Sequence, residues 1–362
     1  MPLPTSETVL QALQTVLDPE LHRDIVTLNL VRNLDLQGGL VTVSIRLDSM
    51  GGGKKAQFKQ EIEEAVAQVE GVTQVVVEFT SGLSMLAGHG NPKKKDEPLP
   101  PQEQARKDNP LPQVKHIIAV GAGKGGVGKS TVAVNLAVAL AREGLKVGLL
   151  DGDIYGPSVP TMLGIGGQKP GVEGQIIIPF KVHDLVAMSV GSLVTQEQAL
   201  VWRGPMAHGA FKQLATQTRW GVLDYLIIDL PPGTGDVPLT LAQLLPLTGA
   251  VVVCTPQKVA QDDARRAITM FRQLGIEVLG LVENMSYFIG DDGKEYDLFG
   301  KGGAEKLALE TGVPFLGGVP INTALRVNCD AGNPHANFAE GELGRELMSV
   351  ARALQLQVRL GE

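Results

Sequence analysis

Residues Gly121–Thr131 read GAGKGGVGKST, with five glycines and two lysines. Gly123 to Ser130 satisfies G-x-x-x-x-G-K-[ST], a loop whose backbone N–H groups close around phosphate oxygens. Lys129 is the charge expected on the β- and γ-phosphates, and the Ser130 hydroxyl is an expected Mg²⁺ ligand. Gly123, Lys124, Gly125, Gly126, Val127, Gly128, Lys129, Ser130 and Thr131 are the expected nucleotide-contacting residues. A helix opening at Lys129 would add the positive end of its dipole. Lys124 is not required by the general motif.

Carboxylates recur in two further segments. LLDGDIYGPS places Asp151 and Asp153 after an apolar run, and LIIDLPPGTGD does the same for Asp229, with Gly233 and Asp236 following. Acids at strand ends near a phosphate loop can hold Mg²⁺, directly or through water, and orient an attacking water. Asp151, Asp153 and Asp229 are therefore candidates for such a role beside Ser130 and Lys129. No N-K-x-D segment for guanine is present.

These residues need a scaffold that brings strand ends together. β-branched runs at 116–120, 146–150, 225–229, 250–254 and 277–284 alternate with helical stretches at 129–142, 207–217 and 261–274. That rhythm implies a mostly parallel sheet covered on both faces, with ligands beyond the strands' carboxyl ends. The fold class expected is α/β, a doubly wound P-loop NTPase sheet, preceded by a small α+β domain. In that first domain a helical spacing over Thr5–Leu17 precedes two alternating runs that turn at Gly38–Gly39. A second helix over Lys55–Val69 and the run VTQVVVEF complete an αββαβ order. Between the two parts, 87–113 is rich in proline and charge and reads as a solvated, partly extended linker in which Lys93–Lys94–Lys95 keep the chain wet. The expected domains are thus 1–86, 87–113 and 114–362.

A length of 362 residues with 43% hydrophobic and 20% charged residues accommodates two folded domains. A formal charge of −7 argues against broad nucleic-acid coating. Two cysteines, Cys254 and Cys329, build no disulfide framework, in keeping with a reducing compartment. MPLPTSETVLQAL lacks a basic segment followed by an apolar one, and no apolar run spans a bilayer. A cytoplasmic location is expected, with no nucleic-acid or membrane partner. Leu343, Leu347, Val350, Leu354 and Val358 fall at helical spacing without lysine, tryptophan or phenylalanine. This reads as a core-covering helix rather than a membrane anchor.

The form K-G-G-x-G-K-[ST] resembles the deviant-Walker-A ATPases, the class of MinD, ParA and the nitrogenase iron protein. The resemblance implies that Lys124 reaches across a homodimer to the partner's phosphates. It also implies that Asp153 is the switch carboxylate and Asp229 the Walker B residue. Gly233 would offer an N–H to the γ-phosphate, and Asn284, closing GLVEN, would contact adenine. DGDIYGPSVP, WRGPM, LIIDLPPGTGDV, GLVENMSYF and FGKGGAEKLA together resemble the Mrp (ApbC) family of iron–sulfur cluster carrier ATPases from about Lys115 to Leu343. The leading DPEL..DIVTLNLV resembles the small domain often fused to them. The resemblance implies ATP, Mg²⁺, an iron–sulfur cluster, a homodimer and apoprotein clients.

Two departures stand out. After ENMSYF, where the family carries a C-x-x-C pair, this chain has IGDDGKEYD, Ile289 to Asp297. Where relatives of the first domain carry a cysteine, it has Met50-Gly51-Gly52-Gly53. Iron in clusters is held chiefly by thiolates. Cys254, ending an apolar strand, reads as structural. Cys329, in a polar segment, is the remaining candidate ligand, one from each subunit. Asp291, Asp292 and Asp297 show no calcium-loop spacing and read as solvated loop. The alternative to a carrier is an ATP-dependent dimerisation switch that binds a regulated protein partner and carries no cluster.

Overall fold

The structure, a computed structural model, describes residues 4–17, 23–28, 30–46, 52–80, 102, 105, 109–153, 156–192, 204–233, 236–290 and 292–361. It divides into two compact units. One comprises Met1–Glu97 with Ala308–Leu316 and Arg352–Glu362, the other Pro98–Leu307 with Gly317–Ala351. The smaller unit therefore takes in two late stretches that the boundaries 1–86, 87–113 and 114–362 leave with the second domain. Local composition marks linkers, but it carries no signal for which distant segment packs back.

The smaller unit runs α1 (Ser6–Leu13), β1 (Val31–Gln37), β2 (Leu40–Arg46), α2 (Gly52–Ala67) and β3 (Gln74–Thr80), the αββαβ order expected. Thr5 caps α1 reciprocally with Thr8. β1 and β2 pair antiparallel across Gly38–Gly39, and β2 pairs parallel with β3. Period-two alternation puts Val41, Val43 and Ile45 on one buried face. Against that core lie Val9 and Leu13 from α1, Phe58, Ile62 and Val66 from α2, and Leu360 from the last helix.

From Val114 onward the chain alternates strands and helices. The elements are β4 (Val114–Gly121), α3 (Lys129–Arg142), β5 (Val147–Asp151), α4 (Val159–Met162), β6 (Gly171–Glu173), β7 (Ile176–Ile178), β8 (Phe180–Val182), β9 (Leu185–Ser189) and α5 (Gly204–Gln217). There follow β10 (Leu223–Asp229), α6 (Asp236–Leu244), β11 (Gly249–Cys254), α7 (Lys258–Gln273), β12 (Val278–Ile289), β13 (Glu295–Tyr296), α8 (Gly303–Thr311), β14 (Phe315–Ile321), α9 (Thr323–Asp330) and α10 (Glu342–Gly361). The main sheet has the order β13-β12-β11-β4-β10-β5-β9-β8, with β14 beside β12. Pairs from β12 through β9 are parallel, and β8 and β13 add antiparallel edges. β5 and β11 are buried along their whole length, which is why they read as unbroken apolar runs.

Two expectations are refined here, and a third is met. Three described residues near the far end of the 87–113 stretch are anchored rather than solvated. Gln102, Ala105 and Leu111 are buried, and the Gln102 amide donates to the Ala242 and Leu245 carbonyls while its oxygen accepts from Leu247 N–H. Lys93, Lys94 and Lys95 lie outside the described residues. The segment after ENMSYF is a hairpin, with Phe288 opposite Tyr296 and Ile289 opposite Glu295. Leu343, Leu347, Val350, Leu354 and Val358 are all buried along α10.

Candidate functional site

β4 sits between β10 and β11, so its carboxyl end opens where two neighbouring parallel strands also end. The chain leaves β4 at Gly121 and enters α3 at Lys129, and residues 122–128 form the loop between them. Gly128 is the N-cap of α3 with φ of 78°, a left-handed conformation that glycine adopts without strain. A Cβ there would also lie 2.1 Å from Asn284 Nδ2. At Gly123 a Cβ would lie 2.1 Å from the Asp263 carbonyl oxygen. Gly125 and Gly126 are exposed, Lys124 is half-buried, and Val127 is buried.

Lys129 turns into the site from the first turn of α3 and is buried. Its Nζ donates to Asp229 Oδ1 at 2.6 Å and to Ser130 Oγ at 3.0 Å, and lies 3.9 Å from Asp153 Oδ2. The loop lysine, the hydroxyl and both candidate carboxylates are thus gathered at one point. Thr131 follows in α3, and its carbonyl oxygen accepts from Asn135 Nδ2 at 2.8 Å.

The carboxylates come from adjacent strand ends, Asp229 being in register with Asp151. Asp151 Oδ1 accepts the Asp153 N–H at 3.1 Å, and its Oδ2 accepts the Ser189 hydroxyl at 2.8 Å. Burial, with Asp229 close by, pushes the Asp151 carboxyl up to about 8. Burial also raises Asp229, against the opposing pull of the Lys129 charge. Asp229 Oδ2 is buried without a hydrogen-bond partner. An orphaned carboxylate oxygen beside a phosphate loop and a serine hydroxyl fits Mg²⁺, which takes one or two carboxylates together with phosphate oxygens and water. Among the described residues, no three His, Cys, Asp or Glu side chains are grouped to hold a metal unaided.

Two expected contacts look different in three dimensions. The Gly233 N–H donates to the Ala122 carbonyl at 2.9 Å. Asn284 is buried and its Nδ2 donates to the Val127 carbonyl at 2.8 Å, bracing the phosphate loop. Asp236 opens α6, but its side chain lies outside the described residues, as do Asp291, Met50 and Gly51.

Cys329 is buried in α9, with Sγ 3.8 Å from Asn135 Nδ2 and 3.6 Å from Asn337 Nδ2. Burial raises its thiol pKa. Cys254 is buried in β11, and burial, with Glu283 beyond it, pushes its thiol up to about 12. Neither sulfur has the exposure or thiolate character of an iron ligand. The expectation that Cys329 from two subunits shares a cluster therefore lacks support in its surroundings. A polar residue context in sequence did not translate into a surface position.

Several residues with clear roles were not singled out by sequence. Glu283 Oε2 accepts Ala304 N–H at 2.7 Å, and its Oε1 accepts Gly302 N–H at 3.2 Å and the Ser286 hydroxyl at 2.6 Å. This buried carboxylate caps α8, so ENMS and KGGAE are parts of one device. Asn135, Asn337 and Asn328 form an amide chain from the P-loop helix to α9 and the turn after it. Glu283 lies inside β12, within the apolar run read as a strand, and an acid at a position buried in the sheet was the signal that could have found it.

Residues 113–355 match the family described as NUBPL iron-transfer P-loop NTPase, and residues 6–77 match the family described as iron–sulfur cluster assembly protein. An iron–sulfur cluster carrier protein of Synechocystis sp. is 46% identical over 98% of both chains. One from Deinococcus radiodurans is 45% identical over 98% of this chain and 95% of its own. Among solved structures, a nucleotide-binding protein in complex with ADP from Archaeoglobus fulgidus is 39% identical with a TM-score of 0.56, covering 64% of this chain and 92% of that one. The cell-division ATPase MinD of Pyrococcus furiosus, 23% identical with a TM-score of 0.52 over 67% of this chain and 98% of its own, shares the fold. Taken with the phosphate loop and its converging carboxylates, these matches establish that the chain belongs to the iron–sulfur cluster carrier family of P-loop NTPases.

Proposed function

We propose that this chain binds and hydrolyses ATP at the Gly123–Thr131 loop and couples that cycle to delivery of iron–sulfur clusters to apoproteins. The observation that carries the reading is the meeting of Lys129 Nζ with Asp229 at 2.6 Å and Asp153 at 3.9 Å at the mouth of the glycine loop. Lys129 neutralises phosphate charge, and Asp153, whose Oδ1 accepts Gly156 N–H at 3.3 Å, is assigned to orient the attacking water. Asp229 Oδ2 and the Ser130 hydroxyl, with Asp153 nearby, are the groups to hold Mg²⁺, which when bound supplies charge neutralisation on the phosphate oxygens.

Lys124, half-buried at the loop, is assigned to the partner's phosphates in a homodimer formed with ATP. Asn284 serves the loop, and through it the nucleotide. The working parts are an accessory domain at 1–86, a connecting stretch at 87–113 and an ATPase domain at 114–362, acting in the cytoplasm. Among the described residues, no helix is long and apolar enough to cross a membrane. A second reading, an ATP-dependent switch that carries no cluster, draws on the burial of both cysteines.

The test is delivery of a cluster from a loaded donor to an apo-ferredoxin, followed by visible absorption with and without ATP. ATP-dependent acceleration by the wild type that is lost in Lys129→Ala is the expected result. Equal rates with wild type, variant and no added protein would remove the cargo assignment and leave the switch.

A further inference from the structure

Cysteine supply and iron–sulfur cargo disagree in this chain. Its 362 residues contain two cysteines, and both are described and buried. Cys254 is 1% exposed within β11, a strand flanked by β4 and β12. Cys329 is 5% exposed, and its sulfur faces the amides of Asn135 and Asn337, which are themselves 0% and 2% exposed. Asn337 Nδ2 also donates to Asn135 Oδ1 at 2.8 Å, and Asn135 Nδ2 donates to the Thr131 carbonyl in the first turn of the P-loop helix. Bringing Cys329 to the surface would open this network and leave buried amides unpaired next to the nucleotide site.

Among the described residues, other donors do not replace the thiols. In the hairpin after ENMSYF, Asp292 is already engaged: its Oδ1 accepts Lys294 N–H at 3.0 Å and its Oδ2 accepts the Tyr296 hydroxyl at 2.8 Å. Among the described residues, no set of three His, Cys, Asp or Glu side chains is placed to hold a metal.

We infer that this chain contributes no thiolate to a cluster, and that the iron–sulfur cargo it serves is ligated throughout by thiolates from outside the chain. The inference rests on the cargo assignment proposed above. Those thiolates come either from a client protein or from a small cellular thiol, and delivery is then an exchange of thiolates on iron with no change in oxidation state. The chain acts on such a complex through its nucleotide-dependent binding.

The experiment is anaerobic reconstitution of the full chain with ferric iron and sulfide, the iron supplying the oxidising equivalents of the cluster, after reduction by a phosphine that is then removed so that no thiol is added. Desalting, iron and sulfide counting and visible absorption follow. Parallel arms contain glutathione or apo-ferredoxin, and each arm is repeated with the Cys254→Ala/Cys329→Ala variant. The inference predicts no retained cluster in the thiol-free arm, for wild type and variant alike. It predicts a cluster retained on the chain with glutathione, or ATP-stimulated cluster formation on ferredoxin, and which arm responds identifies the thiol source.

A stoichiometric cluster on the wild type in the thiol-free arm overturns the inference while leaving the cargo assignment standing. No cluster and no ATP effect in any arm overturns the cargo assignment, and this inference with it. Should the double variant fail to fold, alkylation of the native wild type by iodoacetamide at neutral pH decides the point. No modification until denaturant is added agrees with the inference, and rapid modification of either native thiol contradicts it.

Discussion

Lys129 is the residue on which the chemistry turns, since it contacts the hydroxyl and both carboxylates of the site. Replacing it with alanine removes the cation expected on the β/γ-phosphates and leaves Asp229 buried without its partner. Turnover should fall at least ~10²-fold, the scale of losing one preorganised charge-stabilising donor. Asn284 supports a finer prediction. Asn284→Ala frees the Val127 carbonyl and should weaken nucleotide binding by about tenfold, equivalent to about 1.4 kcal/mol. If its amide serves as a loop brace, titrations with ATP and GTP should lose affinity equally. A selective loss for ATP would instead assign the amide to adenine. Cys254 gives a prediction for pH. Its thiol is raised from 9.0 to about 12, so the folded state holds a proton that the unfolded state releases between those values. Stability should decline through that alkaline window, and Cys254→Ala should decline less in denaturant titrations across it.

At the scale of elements, the phosphate loop works because β4 ends between two parallel neighbours and α3 begins where the glycines stop. This much was legible in the sequence, because a strand, a glycine loop and a helix are contiguous and each has a local signature. The αββαβ order was legible for the same reason, with period-two runs on either side of Gly38–Gly39. Contacts between distant segments had no such signature. Asn135 and Asn337, 202 positions apart, left no pattern that pointed to their pairing, and the polar neighbours of Cys329 in sequence, which made it the better candidate ligand, do not report its burial. Asn284 was placed at the site by the family resemblance, but a residue type does not say which way an amide points. Glu283 was likewise hidden, because nothing local in its strand points to the distant helix it caps. Its alanine variant leaves the N–H groups of Gly302 and Ala304 and the Ser286 hydroxyl without their acceptor. The expected loss is about 2–3 kcal/mol of stability, read as a lowered Tm.

For the whole molecule, the account joins an ATPase of MinD-like fold to a small α+β unit and a cargo whose thiolates the chain does not provide. In the proposed homodimer, Lys124 is the residue assigned to association. Lys124→Ala should bind nucleotide as a monomer yet form fewer dimers with ATP, as measured by light scattering behind size exclusion. An unchanged dimer fraction would remove its cross-subunit role. The division of the chain into units was only partly visible from composition, since Ala308–Leu316 and Arg352–Glu362 join the amino-terminal unit from far along the chain. The most direct test of the central claim is steady-state ATP hydrolysis with Mg²⁺ by wild type and Lys129→Ala, both purified and confirmed folded. The account predicts turnover by the wild type and only background by the variant. Equal turnover by the two would contradict it.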